Sequence, residues 1–394
     1  MEKILTSHLG KTSIISGAGS TIQLAEVLNQ LNIKKPMIVT DNHVSETTWF
    51  KEIIHPLKET CIFNEITPDP KDLEVMKGAQ IYKDNDCDGI IGIGGGSSLD
   101  ASKGISAIVR HEGFIMDYGR SNPNRKFFVN GREPLVLIPT TIGTGAEVSP
   151  HAVITNTEKK RKSDLQESIF YPDAVFLNPE FLMTLPKRIV KDTGIDALCH
   201  AIEVYTGKNT VYTYAPLHES IALKAIELVA ANLRRAVFAG DVDMEAKTNM
   251  QWAAMLAGFA LDLDAGCAHG LAGALQKKYK TMTHGESVGL LLPSIMDYNK
   301  VCNPKRFANI ANAFGIDTSN LSDMEAADQS VSAVRSLLND IDFVKLSDYM
   351  KDETEIEDIY EDAANNSCNK NNLRTVTAEE IKQVYIYALN ETYE

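Results

Sequence analysis

The sequence predicts an α/β domain built on a parallel sheet, followed by an all-helical domain, and three observations carry that reading. Short, continuously apolar runs alternate with amphipathic stretches up to about residue 183, the pattern of strands buried on both faces of a parallel sheet and separated by helices. After Leu185-Pro186 the β-branched apolar runs largely disappear and long segments of helical spacing take over. The length, 394 residues, suits two domains at roughly 100–200 residues each. The change of character places them at 1–185 and 186–394.

In chain order, Ser13 to Ile15, Pro36 to Thr40, Gly89 to Ile93 and Leu135 to Pro139 read as strands, with Thr21 to Leu31 and Asp72 to Asp84 as helices between them. This is the alternation of a parallel α/β sheet. In the second half, Asp192 to Tyr205, Ala215 to Ala239, Met244 to Leu263 and Met324 to Asp340 read as helices. Asp192 or Thr193 suits the cap of the first, and Asn303-Pro304 suits the opening of another. The polar run Asn365 to Asn372 reads as a surface loop before a terminal helix, which the capping box Thr377-Ala-Glu-Glu380 would open.

Composition narrows the function classes. With 39 Lys+Arg against 53 Asp+Glu the formal charge is −14, which argues against nucleic acid as the main partner, because a phosphate backbone is bound by clustered Lys and Arg. Hydrophobic residues at 44% and charged residues at 23% fit an ordinary soluble globular chain. The most apolar stretches, such as Ala253 to Leu261, fall far short of the roughly 20 residues a bilayer span needs, so no membrane is expected. MEKILTSHLGKT lacks the parts of a signal peptide, and a cytoplasmic location is expected. Cys61, Cys87, Cys199, Cys267, Cys302 and Cys368 contain no CxxC pair; neither a disulfide framework nor a thiolate zinc site is indicated, and most should be buried small hydrophobes.

The chemistry begins in the segment Asp88-Gly-Ile-Ile-Gly-Ile-Gly-Gly-Gly-Ser-Ser-Leu-Asp-Ala-Ser-Lys103, which runs from an apolar strand through Gly94, Gly95, Gly96 and Ser97 into a helix. Glycines let a backbone approach a phosphate closely, and the first amides of the helix then point at the anion. The segment is not a P-loop and fits the dinucleotide fingerprint only loosely; a tight strand-to-helix turn would use the same glycines. A second loop, Pro139-Thr-Thr-Ile-Gly-Thr-Gly-Ala-Glu-Val148, brings hydroxyls and glycines after another strand, suited to a pyrophosphate, a nicotinamide or an ordinary helix-capping turn. Asp41 ends a strand, where an acid can bind a ribose diol and repel a 2′-phosphate, favouring NAD over NADP, or can serve as a turn residue.

Asp196 and His200 lie four residues apart, a helical spacing that puts carboxylate and imidazole on one face, within reach of one cation or of each other. Their apolar surroundings make burial without a partner costly. His269 sits in Ala-Gly-Cys-Ala-His-Gly-Leu-Ala, and His284 follows 15 residues later in Thr-Met-Thr-His-Gly-Glu. A lone histidine among small residues is ordinarily a satisfied core group. One carboxylate and three imidazoles together suit Fe²⁺ or Zn²⁺ with an open position. Asp192, Glu203 and His218 are rival candidates, with His218 in Pro216-Leu-His-Glu expected to be exposed.

Taken in order, Gly94-Gly-Gly-Ser-Ser-Leu-Asp-Ala-Ser-Lys103, Pro139 to Glu147, Asp196-Ala-Leu-Cys-His-Ala-Ile-Glu203 and Thr283-His-Gly-Glu286 resemble the iron-containing (group III) alcohol dehydrogenases along almost the whole chain. The resemblance implies a Rossmann-like NAD-binding domain and a helical metal-binding domain in the dehydroquinate synthase-like architecture, with metal and nicotinamide meeting in a cleft. It implies Asp196, His200, His269 and His284 as metal ligands, Asp41 at the adenosine ribose, and Gly95, Gly96 and Ser97 at the pyrophosphate. Thr140, Thr141 and Thr144 match further cofactor contacts, Asp100 a residue near the nicotinamide, and Lys162 a lysine reaching the cofactor's ribose. Asp69 stands at a cofactor-facing position that is often Asn.

Three features depart from the family pattern. Many members carry a histidine four residues after the third ligand, close to the substrate, where this chain has Gly273; His269 to His284 is one residue longer than usual; and His151 stands where members often present Asn. Asp100, His151 and Gly273 are thus the positions that bear on catalysis, with protons carried by ordered water at Gly273, by ribose hydroxyls or by His151. The implied reaction is metal-assisted hydride transfer between NAD(H) and a short-chain alcohol or aldehyde; Gly273 and His151 suit a substrate with a polar or anionic tail such as a sulfonate or phosphonate, and a structural His151 would instead leave an ordinary short alcohol. Self-association into a homo-oligomer is implied as well. Alternatives are a polyol dehydrogenase or NAD-using cyclase of the same superfamily, a metal-dependent hydrolase of a phosphorylated substrate, and a catalytically silent binding protein.

Overall fold

The computed structural model describes residues 12–120 and 122–393; all but the last residue of the segment read for a leader lies outside them. The described chain divides into two compact units, one of 12–120, 122–141 and 145–184, the other of 142–144 and 185–393. No helix among the described residues is long and apolar enough to cross a membrane.

The first unit carries strands β1 Ser13–Ser16, β2 Pro36–Val39, β3 Cys61–Phe63, β4 Gly89–Gly94, β5 Leu135–Pro139, β6 His151–Asn156, β7 Arg161–Gln166 and β8 Ala174–Leu177. Its helices are α1 Leu24–Gln30, α2 Asn42–Glu46, α3 Thr48–Ile54, α4 Asp72–Asp84 and α5 Gly96–Ile108. Six strands form a parallel sheet in the order β1-β8-β5-β4-β2-β3, and β6 and β7 form a separate antiparallel hairpin. Met37, Val39, Ile90, Leu135 and Leu137 pack on one face with Val75, Leu99 and Ile105, whereas Ile38, Ile91, Ile93, Val136 and Ile138 pack on the other with Leu24, Leu28 and Phe50. Successive strand side chains alternate between faces, and both faces are covered, so the central runs stay apolar throughout. Each such side chain contributes about 1.5–3 kcal/mol on burial. The strands β3 and β8 and the hairpin go beyond those read from the sequence.

The second unit is helical among its described residues: α6 Lys187–Thr206, α7 Lys208–Val211, α8 Pro216–Phe238, α9 Met244–Ala260, α10 Cys267–Lys278, α11 His284–Gly289, α12 Leu292–Lys300, α13 Pro304–Ala313, α14 Asp323–Asp340, α15 Tyr360–Ala364 and α16 Ala378–Leu389. Asn303-Pro304 opens α13 and the Thr377–Glu380 capping box opens α16, as the sequence suggests.

Four expectations need correction. The helix carrying Asp196 starts directly after Pro186, so Asp192 and Thr193 lie inside it and cap nothing; Thr193 returns its hydroxyl to the Ile189 carbonyl at 2.7 Å. His218 is buried, because it lies in phase with Ala222, Ala225, Ile226 and Val229 on the inner face of α8. The Asn365 to Asn372 run contains a 3₁₀ turn, and Asn369, Asn371 and Asn372 are buried. Asn371 Nδ2 donates to the carbonyls of Leu263 and Asp264 at 3.0 and 2.8 Å, closing backbone groups that precede α10. Finally, no disulfide joins the six cysteines, but only Cys87, Cys199 and Cys267 are buried.

Candidate active site and metal centre

Helix α6 places Asp196 and His200 on one buried face, one turn apart. His269 enters from the first turn of α10, and His284 opens α11. Glycine makes the last approach feasible: a Cβ at Gly285 would stand 2.0 Å from the Asp192 carbonyl oxygen, so α11 can lie against α6 only without one. Thr283 and Glu286 form the capping box of α11, Thr283 Oγ1 also donates to Asp192 Oδ2 at 2.9 Å, and Arg188 donates to Glu286 at 3.1 Å.

The Nε2 atoms of His269, His284 and His200 lie 3.5, 3.7 and 3.8 Å from the single oxygen Asp196 Oδ1. Both Asp196 Oδ1 and His269 Nε2 are buried without a hydrogen-bond partner, an arrangement that is costly unless something else satisfies them. Tetrahedral ligands about 2.1 Å from an ion are about 3.4 Å apart, close to the observed separations. The donor set therefore fits a divalent ion, with Asp196, His200 and His269 as its tightest group. Burial disfavours charge on Asp196, yet the three imidazoles outweigh it and hold the carboxyl well below its usual range. Burial pushes His200 down to about 4, whereas at His269 burial is overcome by Glu203 and Asp196, which push it up to about 10.

The rivals take other places. Glu203 Oε2 accepts from His269 Nδ1, and its Oε1 accepts from the Ala268 amide, both at 2.5 Å, so both of its oxygens are engaged and it orients the His269 ring. Asp192, raised to about 6 chiefly by burial, supports α11 through Thr283. His218 Nε2 is 4.0 Å from Asp262, apart from the cluster. A glutamine at 203 can accept only one of the two donors and would turn an NH₂ on the other. Glu203→Gln is thus expected to lower metal affinity about 10–100-fold, read as metal retained after dialysis against a chelator; full retention would remove Glu203 from this role.

In the first unit, Gly94 has φ +147, and a Cβ there would meet Ser98 Oγ at 2.7 Å and Asp41 Oδ2 at 3.5 Å. The turn thus brings Asp41 beside the start of α5. One Asp41 oxygen caps α2 by accepting from the Val44 amide at 2.9 Å. Gly95 provides no side-chain cap for α5, leaving the N-terminus of a 13-residue helix open to an anion. Gly96 and Ser97 begin that helix, Ser97 Oγ accepts from the Asp69 amide at 3.2 Å, and Asp69 pairs with Lys162 Nζ at 2.8 Å. Thr140 donates its amide to the Gly94 carbonyl at 2.9 Å, and Thr141 lies against Gly95. Thr144 belongs to the other unit, where neighbouring Gly143 lies tight against Thr193 of α6.

The three positions bearing on catalysis differ in kind. Asp100 is raised to about 6 by burial; one of its oxygens accepts from the Val153 amide at 3.0 Å. His151 has Nδ1 3.0 Å from Asp164 and Nε2 3.4 Å from the Gln166 amide nitrogen, so both ring nitrogens are engaged. Gly273, one turn beyond His269, is exposed, and a Cβ there would meet nothing within 4 Å. Sequence reading missed two further groups: Lys103 and Glu147, both buried, the first lowered and the second raised to about 7 by that burial. Their place in the two motifs was the available signal.

A parallel sheet with an open glycine turn, and a helical unit in which Asp196, His200 and His269 could hold one ion with His284 Nε2 3.7 Å from the same Asp196 oxygen, suit a metal-dependent, nicotinamide-linked dehydrogenase. Comparison with known proteins agrees. Residues 11–179 match the model for iron-containing alcohol dehydrogenase, and residues 190–389 that for the Fe-containing alcohol dehydrogenase family, C-terminal. The chain is 34% identical to choline dehydrogenase of Bacillus subtilis (strain 168) over 100% of its own length and 97% of the relative's. A crystal structure of 1,3-propanediol oxidoreductase superposes with TM-score 0.91 at 31% identity, covering 98% of this chain and 100% of that one. Sulfoacetaldehyde reductase from Bifidobacterium kashiwanohense, solved with NAD⁺, gives TM-score 0.88 at 25% identity over 98% and 99%. The chain belongs to the iron-containing alcohol dehydrogenase family. It is an NAD(H)-linked, metal-dependent alcohol dehydrogenase and aldehyde reductase.

Proposed function

We propose that this enzyme interconverts a short primary alcohol and its aldehyde, that the compound carries a polar tail, and that Asp196, His200, His269 and His284 hold the metal. The single observation that carries the ligand assignment is the convergence of three Nε2 atoms on one unpartnered Asp196 oxygen. When bound, the metal supplies Lewis acidity toward the alcohol or carbonyl oxygen, and the nicotinamide carries the hydride.

The chain's own residues supply the rest. The amides at Gly95, Gly96 and Ser97 receive the pyrophosphate, and Asp41, with one oxygen turned to Gly94, receives the adenosine ribose and repels a 2′-phosphate. Lys162, held by Asp69, binds the other ribose, and Thr140, Thr141 and Thr144 line the cofactor. Asp100 holds the backbone near the nicotinamide. Open space at Gly273 admits water for proton transfer and leaves room for the substrate's tail. His151 has Nδ1 held by Asp164, and its Nε2 would exchange the 3.4 Å contact with Gln166 for a bond to a polar tail. Self-association belongs to this reading as an implication of the family resemblance, and a cytoplasmic location as the expectation stated from the sequence.

The test is NADH oxidation by protein reconstituted separately with Fe²⁺ and Zn²⁺, on aldehydes of equal length whose tails are apolar, hydroxylated, sulfonated or quaternary ammonium. Metal-dependent turnover with the highest kcat/KM on a polar tail is expected, and Gly273→Phe should lower kcat/KM more for the larger tails than for the smallest aldehyde. An apolar aldehyde that matches or exceeds all polar ones would overturn the substrate assignment. A single preferred charged tail, with the preference lost in His151→Ala, would narrow it to that charge.

A further inference from the structure

The hairpin β6–β7 carries two residues assigned above, His151 and Lys162, yet it is not part of the main sheet. An isolated two-stranded hairpin is marginal by itself, and its outer edge presents backbone groups that need partners. On β6 that edge is made by residues 151, 153 and 155. The His151 carbonyl accepts from Lys103 Nζ at 2.7 Å, the Val153 amide donates to Asp100 Oδ2 at 3.0 Å, and the Thr155 amide donates to the Pro70 carbonyl at 2.7 Å. Lys103 Nζ also donates to the Ser149 carbonyl at 3.0 Å. Two side chains three residues apart on α5 thus replace a neighbouring strand, one as acceptor and one as donor. The close fit of helix to hairpin agrees: a Cβ at Gly104 would stand 2.9 Å from Ile154 Cδ1.

The chemistry of the pair is specific. Lys103 is fully buried, with Asp100 Oδ1 at 3.6 Å and Glu147 also buried nearby. Burying an ammonium is expensive unless counter-charges and hydrogen bonds surround it. An apolar residue could fill the same volume without that cost, but it could not close the carbonyls of Ser149 and His151.

We propose that Asp100 and Lys103 are positioning residues that stand in for a strand, locking the hairpin to α5 and so holding Lys162 and His151 at a set distance from the phosphate-binding turn at the start of that helix. The inference rests on the cofactor assignment above for its functional consequence, and on the backbone bonds alone for its structural one. The variants are Asp100→Ala, which removes the acceptor, Asp100→Asn, which keeps one, and Lys103→Met, which keeps the apolar stem. Amide hydrogen exchange of the peptide covering residues 151–156 is compared with that of the sheet strands, and Kd is measured for NADH and for ADP, which lacks the second ribose.

Asp100→Ala and Lys103→Met should speed exchange in the hairpin but not in β4 or β5. They should weaken NADH roughly tenfold, equivalent to ~1.4 kcal/mol, while ADP binding holds and Asp100→Asn, which keeps the acceptor for Val153 but not the counter-charge to Lys103, falls between Asp100→Ala and the parent protein. Unchanged hairpin exchange in Asp100→Ala, or equal weakening of NADH and ADP, overturns the proposal. Should Lys103→Met fail to fold, the contrast between Asp100→Ala and Asp100→Asn decides. Failure of the parent protein to bind either nucleotide would sink the cofactor assignment, and the exchange comparison would still judge the lock.

Discussion

His269→Ala is expected to abolish metal-dependent NADH oxidation, with a loss well beyond the roughly 100-fold ceiling typical of outer-shell changes. The reason is geometric. Asp196 Oδ1 is the common vertex of the cluster, and His269 Nε2 is its nearest imidazole nitrogen, at 3.5 Å. Losing that nitrogen removes one corner and also strands Glu203, whose Oε2 would then face no donor in a buried place. An unpaired buried carboxylate is destabilising in itself, so loss of activity alone would not separate a missing ligand from a weakened fold. Thermal unfolding separates them. A ligand that binds only the native state raises stability by RT ln(1 + [L]/Kd), so added Fe²⁺ or Zn²⁺ should raise the Tm of the parent protein and chelator should lower it. His269→Ala should have a Tm indifferent to both and should still bind NADH. A metal-dependent Tm that survives in His269→Ala would show that the ion is held elsewhere.

The candidate ligand residues were legible as a cluster because each rests on a local rule. Asp196 and His200 share a helical spacing, and His269 and His284 stand among the small residues that close packing demands; Gly285 shows why, since any side chain there meets the Asp192 backbone. The central strands were legible for a similar reason: β4 and β5 are covered on both faces, and the apolar run records it. Short segments carry less. β3 has only Cys61, Ile62 and Phe63, and β8 only Ala174 to Leu177, too few residues to show a period before the neighbouring strand supplies their hydrogen bonds.

Tertiary partners decided what the sequence left ambiguous. Asn371 looks like a loop residue until the backbone of 263–265 needs its amide. His218 sits between Leu217 and Glu219, a polar context at a helix start, yet its spacing from Ala222, Ala225, Ile226 and Val229 already marked the buried face. Asp192 and Thr193 have the chemistry of caps, but the helix already starts at Lys187, directly after Pro186. Glu203 and Asp192 read from the sequence as rival ligand candidates. Only the observed contacts with His269, Ala268 and Thr283 show that they serve a histidine of the cluster and the helix ends.

Gly94→Ala should disable the other half of the machinery, weakening NADH by more than about tenfold while leaving the metal-dependent rise in Tm intact. Two separate penalties meet at this residue. Its φ of +147 is a conformation that side chains rarely adopt, a strain of roughly 1–3 kcal/mol. The added methyl would also stand 2.7 Å from Ser98 Oγ and 2.8 Å from Ser98 Cβ, where overpacking costs about 1–3 kcal/mol. Neither is easily relieved, because the Gly94 carbonyl accepts from the Thr140 amide at 2.9 Å and β4 is paired with β5 up to Pro139. Relief must come from moving Ser98, and with it the first turn of α5, where Gly95, Gly96 and Ser97 form the proposed pyrophosphate site. Adding Ser98→Gly removes the collision but not the strained φ, so the double variant should recover part of the NADH affinity. If Gly94→Ala binds NADH as the parent does, the turn is only a strand-to-helix corner. Nucleotide lost with metal retained in Gly94→Ala, and the reverse in His269→Ala, would assign each half of the reaction to its own set of residues.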